Sequence, residues 1–134
     1  MKAGTTKKAL DWLTEEIIGA GIAVHRALGP GMLESAYEAC LAYELTDRGL
    51  EFEQQKPLAL VYRGMKLDCG YRLDLVVEDQ VIVELKALEK LQPIHQAQVL
   101  SYLKLSGLPV GLLMNFNVEQ LTQGIPRLVN GFPG

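Results

Sequence analysis

Tyr71-Arg72-Leu73-Asp74-Leu75-Val76-Val77-Glu78-Asp79-Gln80-Val81-Ile82-Val83-Glu84-Leu85-Lys86 reads as a β-hairpin, two apolar arms around the polar turn Glu78-Asp79-Gln80. Asp74, Glu84 and Lys86 interrupt the arms. With those turn residues as the loop, Val77 faces Val81, Val76 faces Ile82, and Asp74 faces Glu84. Strand side chains alternate between faces, so Glu84 and Lys86 share one face and Asp74 joins them. Like charges directly opposite on a sheet are destabilising. Two carboxylates so placed in an apolar hairpin call for a cation between them, and a one-residue slip of register would separate them.

The chain has 134 residues, 49% hydrophobic and 22% charged. That suits one domain, residues 1–134, with a single core and no long disordered stretch. The net charge is −3 and the pI about 5.4. Bulk charge therefore argues against a coat on nucleic acid, though a local basic groove stays open. Cys40 and Cys69 form no C-x-x-C pair and read as two reduced thiols. No apolar run approaches the ~18 residues of a membrane span. The basic N-terminus leads into an amphipathic stretch, not a signal-peptide core. The expectation is a soluble, cytoplasmic protein.

Upstream, Thr5 or Thr6 can cap a helix to about Leu28, with Leu10, Leu13, Ile17, Ile18, Gly21, Val24 and Leu28 on one face and Trp12 flanking it. His25 near its C-terminus suits the helix dipole and reads as structural. Gly29-Pro30-Gly31 stops that helix. A second helix is expected over Met32–Arg48, its buried stripe being Leu33, Tyr37, Cys40, Leu41 and Leu45. Glu34, Tyr37 and Glu38 share a side by their spacing. Strands follow at 52–55 and 58–62, with Pro57 at the start of the second. An Arg63-Gly64 turn leads into residues 65–69, and Gly70 punctuates entry to the hairpin. Pro93 opens a helix to about Ser106, with Gln98 and Tyr102 on one side and His95 three residues before Gln98. Residues 110–116 suit a buried strand, 125–129 a last edge strand, and 131–134 a tail. The order predicts a mixed α/β sheet with helices on its faces.

Hard divalent cations such as Mg²⁺ or Mn²⁺ take oxygen ligands and keep several waters, so Asp74 and Glu84 suffice as protein ligands. Such an ion lowers the pKa of a water and stabilises charge on a phosphoryl oxygen. Lys86 can orient the attacking water or steady the phosphate. Glu34 gives a third carboxylate if the second helix brings its N-terminal end to this edge, and Gln98 can hold a water or a phosphate. His95 reads as structural or substrate-adjacent, not as a metal ligand.

The motifs form an ordered set. Gly31-Met32-Leu33-Glu34-Ser35-Ala36-Tyr37 is G-x-x-E-x-x-Y. Asp74 followed by Glu84-Leu85-Lys86 is D…E-x-K, and Gln98 to Tyr102 is Q-x-x-x-Y. From about residue 11 to 130 the chain resembles the GxxExxY proteins, a branch of the PD-(D/E)XK nuclease superfamily. The resemblance implies a restriction-endonuclease-like α/β core with a central mixed four-stranded sheet flanked by helices. It implies Glu34 as the helical acid, Asp74 and Glu84 as metal ligands, Lys86 as the catalytic lysine, and Gln98 and Tyr102 as helical residues beside the site. The proline of the superfamily's Pro-Asp pair is Leu73 here, at a position that tolerates variation. Three functions stand against one another at this point. The first is a Mg²⁺- or Mn²⁺-dependent nuclease acting on DNA or RNA. The second is a non-catalytic nucleic-acid-binding or protein-interaction module. The third is a hydrolase of a small phosphoester, which would need a closed pocket. Many nucleases of this fold act as homodimers, but no self-complementary surface is legible.

Overall fold

A computed structural model describes residues 6–130, without the side chains of 123 and 124. Thr6 caps the first helix: its Oγ1 accepts the Ala9 N–H at 3.0 Å. Helix α1 (Lys7–Leu28) buries Leu10, Leu13, Ile17, Ala20 and Val24, and Trp12 lies exposed beside that face. Gly29 ends it at φ 67, a left-handed turn that glycine adopts without steric cost. His25 is structural, as its position suggests. Its Nε2 lies 2.7 Å from the Val118 carbonyl oxygen and ties α1 to the end of the sheet.

Helix α2 (Glu34–Asp47) starts two residues later than the periodicity predicts. Leu33 is its N-cap residue and is exposed, so it does not belong to the buried stripe. Tyr37, Leu41 and Leu45 do, each fully buried. Tyr37 also closes the preceding loop. Its hydroxyl donates to the Gly29 carbonyl at 2.6 Å and accepts the Met32 N–H at 3.1 Å. Its ring stacks on Phe116 at 4.4 Å.

The strands are β1 (Phe52–Tyr62), β2 (Met65–Val77), β3 (Val81–Lys86), β4 (Val110–Asn115) and β5 (Arg127–Val129), with helix α3 (Pro93–Ser106) between β3 and β4. Their order in the sheet is β1-β2-β3-β4-β5. All neighbours are antiparallel except β3 and β4, which run parallel across the α3 connection. The fold is thus the expected mixed α/β sheet, with five strands where the family resemblance implies four. The fifth arises because Arg127–Val129 pairs with Leu112–Val110 and covers the edge of β4.

Two predicted breaks are absent. β1 runs unbroken through Pro57, because β1 is an edge strand with an open side for a residue that lacks an N–H. β2 runs through Gly70, which takes φ 77 where the pairing with β1 shifts register.

Two cores sandwich the sheet. Leu75, Val77, Val83, Leu85, Leu112 and Met114 face α1 and α2. Val76, Ile82 and Leu113 face α3, against Val99, Tyr102 and Leu103. α3 comes close at Gly111, where a Cβ would stand 2.6 Å from Val99 Cγ1.

Candidate active site

The central hairpin has the predicted register: Val77 pairs with Val81, Val76 with Ile82 and Leu75 with Val83. Glu78 and Asp79 both take left-handed φ, near 53 and 55, which gives the tight twisted turn that this register needs. Beyond Leu75 and Val83 the backbone ladder stops, and side chains take over. The Asp74 N–H donates to Glu84 Oε1 at 3.0 Å, and the Leu85 N–H donates to Asp74 Oδ2 at 2.8 Å. Each strand therefore holds the other's carboxylate by a main-chain donor. Two backbone groups that the opening would orphan are satisfied, and two acids are fixed face to face.

Glu84 is only 5% exposed. Burial first, and then the charge of Asp74, push its carboxyl up to about 8; the Asp74 N–H and Lys86 pull the other way. A carboxyl pair held in this way is an oxygen-donor set for a hard divalent cation, whose charge would offset both penalties to ionising Glu84. Among the described residues, no three His, Cys, Asp or Glu side chains converge on one point. The acidic donors here are a pair, and ions of this kind complete their shell with water.

The other predicted residues converge on the same end of the sheet. Lys86 follows Glu84 by two on β3, on the α3 side shared with Ile82. Glu34 sits at the first position of α2. Desolvation raises its carboxyl above the ordinary value and Lys86 opposes this, while Asp74 and Glu38 raise it further. These influences place Glu34 within electrostatic reach of both Asp74 and Lys86. Tyr102 is buried on α3. Desolvation raises its hydroxyl first, then Glu84, Tyr71 and Asp74, and a hydrogen bond from Gln98 offsets part of that rise. His95 is a helix cap: its Nδ1 accepts the Gln92 N–H at 2.8 Å.

Three residues beside the site escape a sequence reading. Gln55 takes φ 52 in the middle of β1, a rare conformation for a residue with a side chain. Its Nε2 donates to Glu38 Oε1 at 2.7 Å and reaches Asp74 Oδ1 at 3.4 Å. Gln54 donates to the other oxygen of Glu38 at 3.0 Å. Asn115, paired with Lys86 across β3 and β4, is buried and bonds both the N–H and the carbonyl of Leu88 at 2.9 Å. It thereby pins the chain as it leaves β3. Glu38 shares a helical side with Glu34, which is a visible signal. The glutamines and Asn115 give none, because only tertiary contact defines them.

A family model for the PD-(D/E)XK nuclease superfamily matches residues 11–128. The chain belongs to that superfamily. Nothing among curated proteins or solved structures matches it. The mixed sheet flanked by helices is consistent with the restriction-endonuclease-like fold of the PD-(D/E)XK nucleases. Within that frame, Asp74 and Glu84-Leu85-Lys86 stand at D and E-x-K. Leu73, in place of the motif's proline, is buried among Leu58, Val76 and Tyr102 and belongs to the packing of this end of the sheet. Among the described residues no helix is long and apolar enough to cross a membrane.

Proposed function

We propose that this PD-(D/E)XK protein is a Mg²⁺- or Mn²⁺-dependent nuclease of the GxxExxY branch, hydrolysing phosphodiester bonds in nucleic acid. One observation carries the reading: Asp74 and Glu84 are held face to face by each other's strand, with Lys86 next along the same face. Asp74 and Glu84 would hold the cation, which when bound supplies charge stabilisation at the phosphate and acidifies a water. Lys86 aligns the attacking water and neutralises charge gathering on the phosphate oxygens. Glu34, raised in pKa beside Lys86, is suited to accept a proton from that water. Gln98 and Tyr102 offer hydrogen bonds to the phosphate or a water from the α3 side. A homodimer finds no support in the single chain, so the reading is of one site per chain.

The test is calorimetric titration of purified protein with Mn²⁺, run beside cleavage assays on single- and double-stranded DNA and RNA. Mn²⁺ binding and cleavage are expected. Lys86→Ala should lower the rate by about a hundredfold or more. Asp74→Asn or Glu84→Gln should weaken metal binding and abolish cleavage. Wild-type protein that binds no metal would end the catalytic reading. Binding without cleavage of any substrate would favour a non-catalytic module on the same fold.

A further inference from the structure

The mechanism leaves the far half of the β1–β2 hairpin unused. Residues 61–72 are exposed without interruption, and they include Val61, Tyr62, Met65, Leu67 and Tyr71. A two-stranded ribbon with large apolar side chains in water is marginal by itself, and this many of them along one arm suit a surface that binds something. Register fixes its faces. Tyr62 pairs with Met65, and Leu58 with Tyr71. The Tyr71 ring meets the Tyr102 ring edge-on at 5.9 Å, so the aromatic face looks toward α3 and the acid pair. On the opposite face Lys66 pairs with Val61, and Arg72 with Pro57. Arg63 lies over the Tyr62 ring at the tip, 5.7 Å from its centroid.

Charge says what the arm would hold. The chain is acidic, yet residues 56–72 contain four of its thirteen Lys and Arg and one of its sixteen Asp and Glu. Lys56 is paired with Glu53 and Asp79. Arg63, Lys66 and Arg72 make no ion pair among the described residues. From Met65 to Asp74 the strand spans roughly 30 Å at about 3.3 Å per residue, and it ends at the acid pair. Basic side chains interleaved with open tyrosine rings, leading into a phosphodiesterase site, suit a strand whose bases are free to stack. A second copy fits poorly, because a two-fold pairing of the arms would set the same cations against each other.

We propose that this arm is the binding track for an unpaired nucleic-acid strand: bases stack on Tyr62 and Tyr71, and Arg63 at the tip, with Lys66 and Arg72 on the reverse of the same two-stranded ribbon, supplies the positive charge that draws its phosphates. The proposal rests on the nuclease reading for the strand's destination but not for its binding. The experiment is fluorescence anisotropy of full-length protein with labelled oligothymidylate in EDTA, where no metal-dependent cleavage occurs, across a salt series. Wild type is expected to bind the single strand more tightly than the matching duplex. Arg63→Ala/Lys66→Ala/Arg72→Ala should weaken binding at least tenfold and reduce the salt slope by about two. Tyr62→Ala should weaken it by about tenfold. Lys66→Ala alone, at an exposed position, guards against loss of fold and should show a smaller loss in the same direction. Wild-type binding by the arm variants, equal affinity for duplex, or no binding at all would overturn the proposal. So would a change from dimer to monomer in sedimentation when the arm is altered, because a second copy would then be the occupant. Cleavage that survives in arm variants with unaltered binding would sink this proposal alone. Arm-dependent binding by a protein that never cleaves would sink the nuclease reading alone.

Discussion

β2 belongs to two hairpins that differ in nearly every physical respect. With β3 it makes a buried one, where Leu75, Val76, Val77, Val81, Ile82 and Val83 are closed off on both faces by helices. With β1 it extends into an open one, where residues 61–72 are exposed. Along its arms the buried hairpin carries charge only where the ladder gives way and carboxylates take the place of backbone partners, beside Lys86. The open hairpin carries charge along its length and leaves it hydrated. Burial makes the first costly, rigid and defined in geometry, the character that the proposed catalysis needs. Exposure makes the second cheap and adaptable, the character that the proposed strand binding needs.

The largest break in this contrast should come from the buried side. Ile82→Ala removes apolar volume from a fully enclosed position and should cost about 2–5 kcal/mol, read as a lower urea midpoint. Tyr37→Phe should cost about 1–3 kcal/mol, because the Gly29 carbonyl and the Met32 N–H lose their shared partner. It should also lower cleavage, since that loop sets the start of α2 and therefore Glu34.

Glu84 sharpens the comparison through pH. Its folded pKa is raised above the unfolded value, so the folded state binds the proton more tightly. The stabilisation from that proton is fully present below about 4.5 and is lost as pH rises through about 8. Metal-free wild type in EDTA should therefore lose thermal stability across this window. Glu84→Gln should flatten the dependence, and Mn²⁺ should restore stability to wild type at pH 8 but not to the variant. The smallest effect is expected on the arm: Met65→Ser should shift unfolding by no more than about 0.5 kcal/mol. A loss as large as that from Ile82→Ala would mean that the two hairpins are not the different objects described above.

Legibility follows the same division. Hydrophobic alternation and turn chemistry determine the buried hairpin, because a slip of one residue would turn Val76 and Ile82 away from α3; the facing of Asp74 and Glu84 follows from that register alone. Capping residues and glycines mark the helix ends, as Thr6, Pro93 and Gly107 do. Three features misled. Leu33 looks like part of the α2 stripe but precedes the helix. Pro57 looks like a strand start but lies within an edge strand. Gly70 looks like a break but lies within β2. Open edges and helix starts are settled by what packs nearby, which local pattern does not contain.

By itself, then, the sequence determined the hairpin and its register and singled out Glu34, Asp74, Glu84, Lys86, Gln98 and Tyr102, because strand and helix periods are local properties of the chain. Tertiary structure alone decided that β2 and β3 part at the acids, that Gln55 bends backward to join Glu38 to Asp74, and that Asn115 anchors the exit from β3. Those contacts join residues far apart in the chain, and they exist only because closing the two cores brings them within hydrogen-bonding distance.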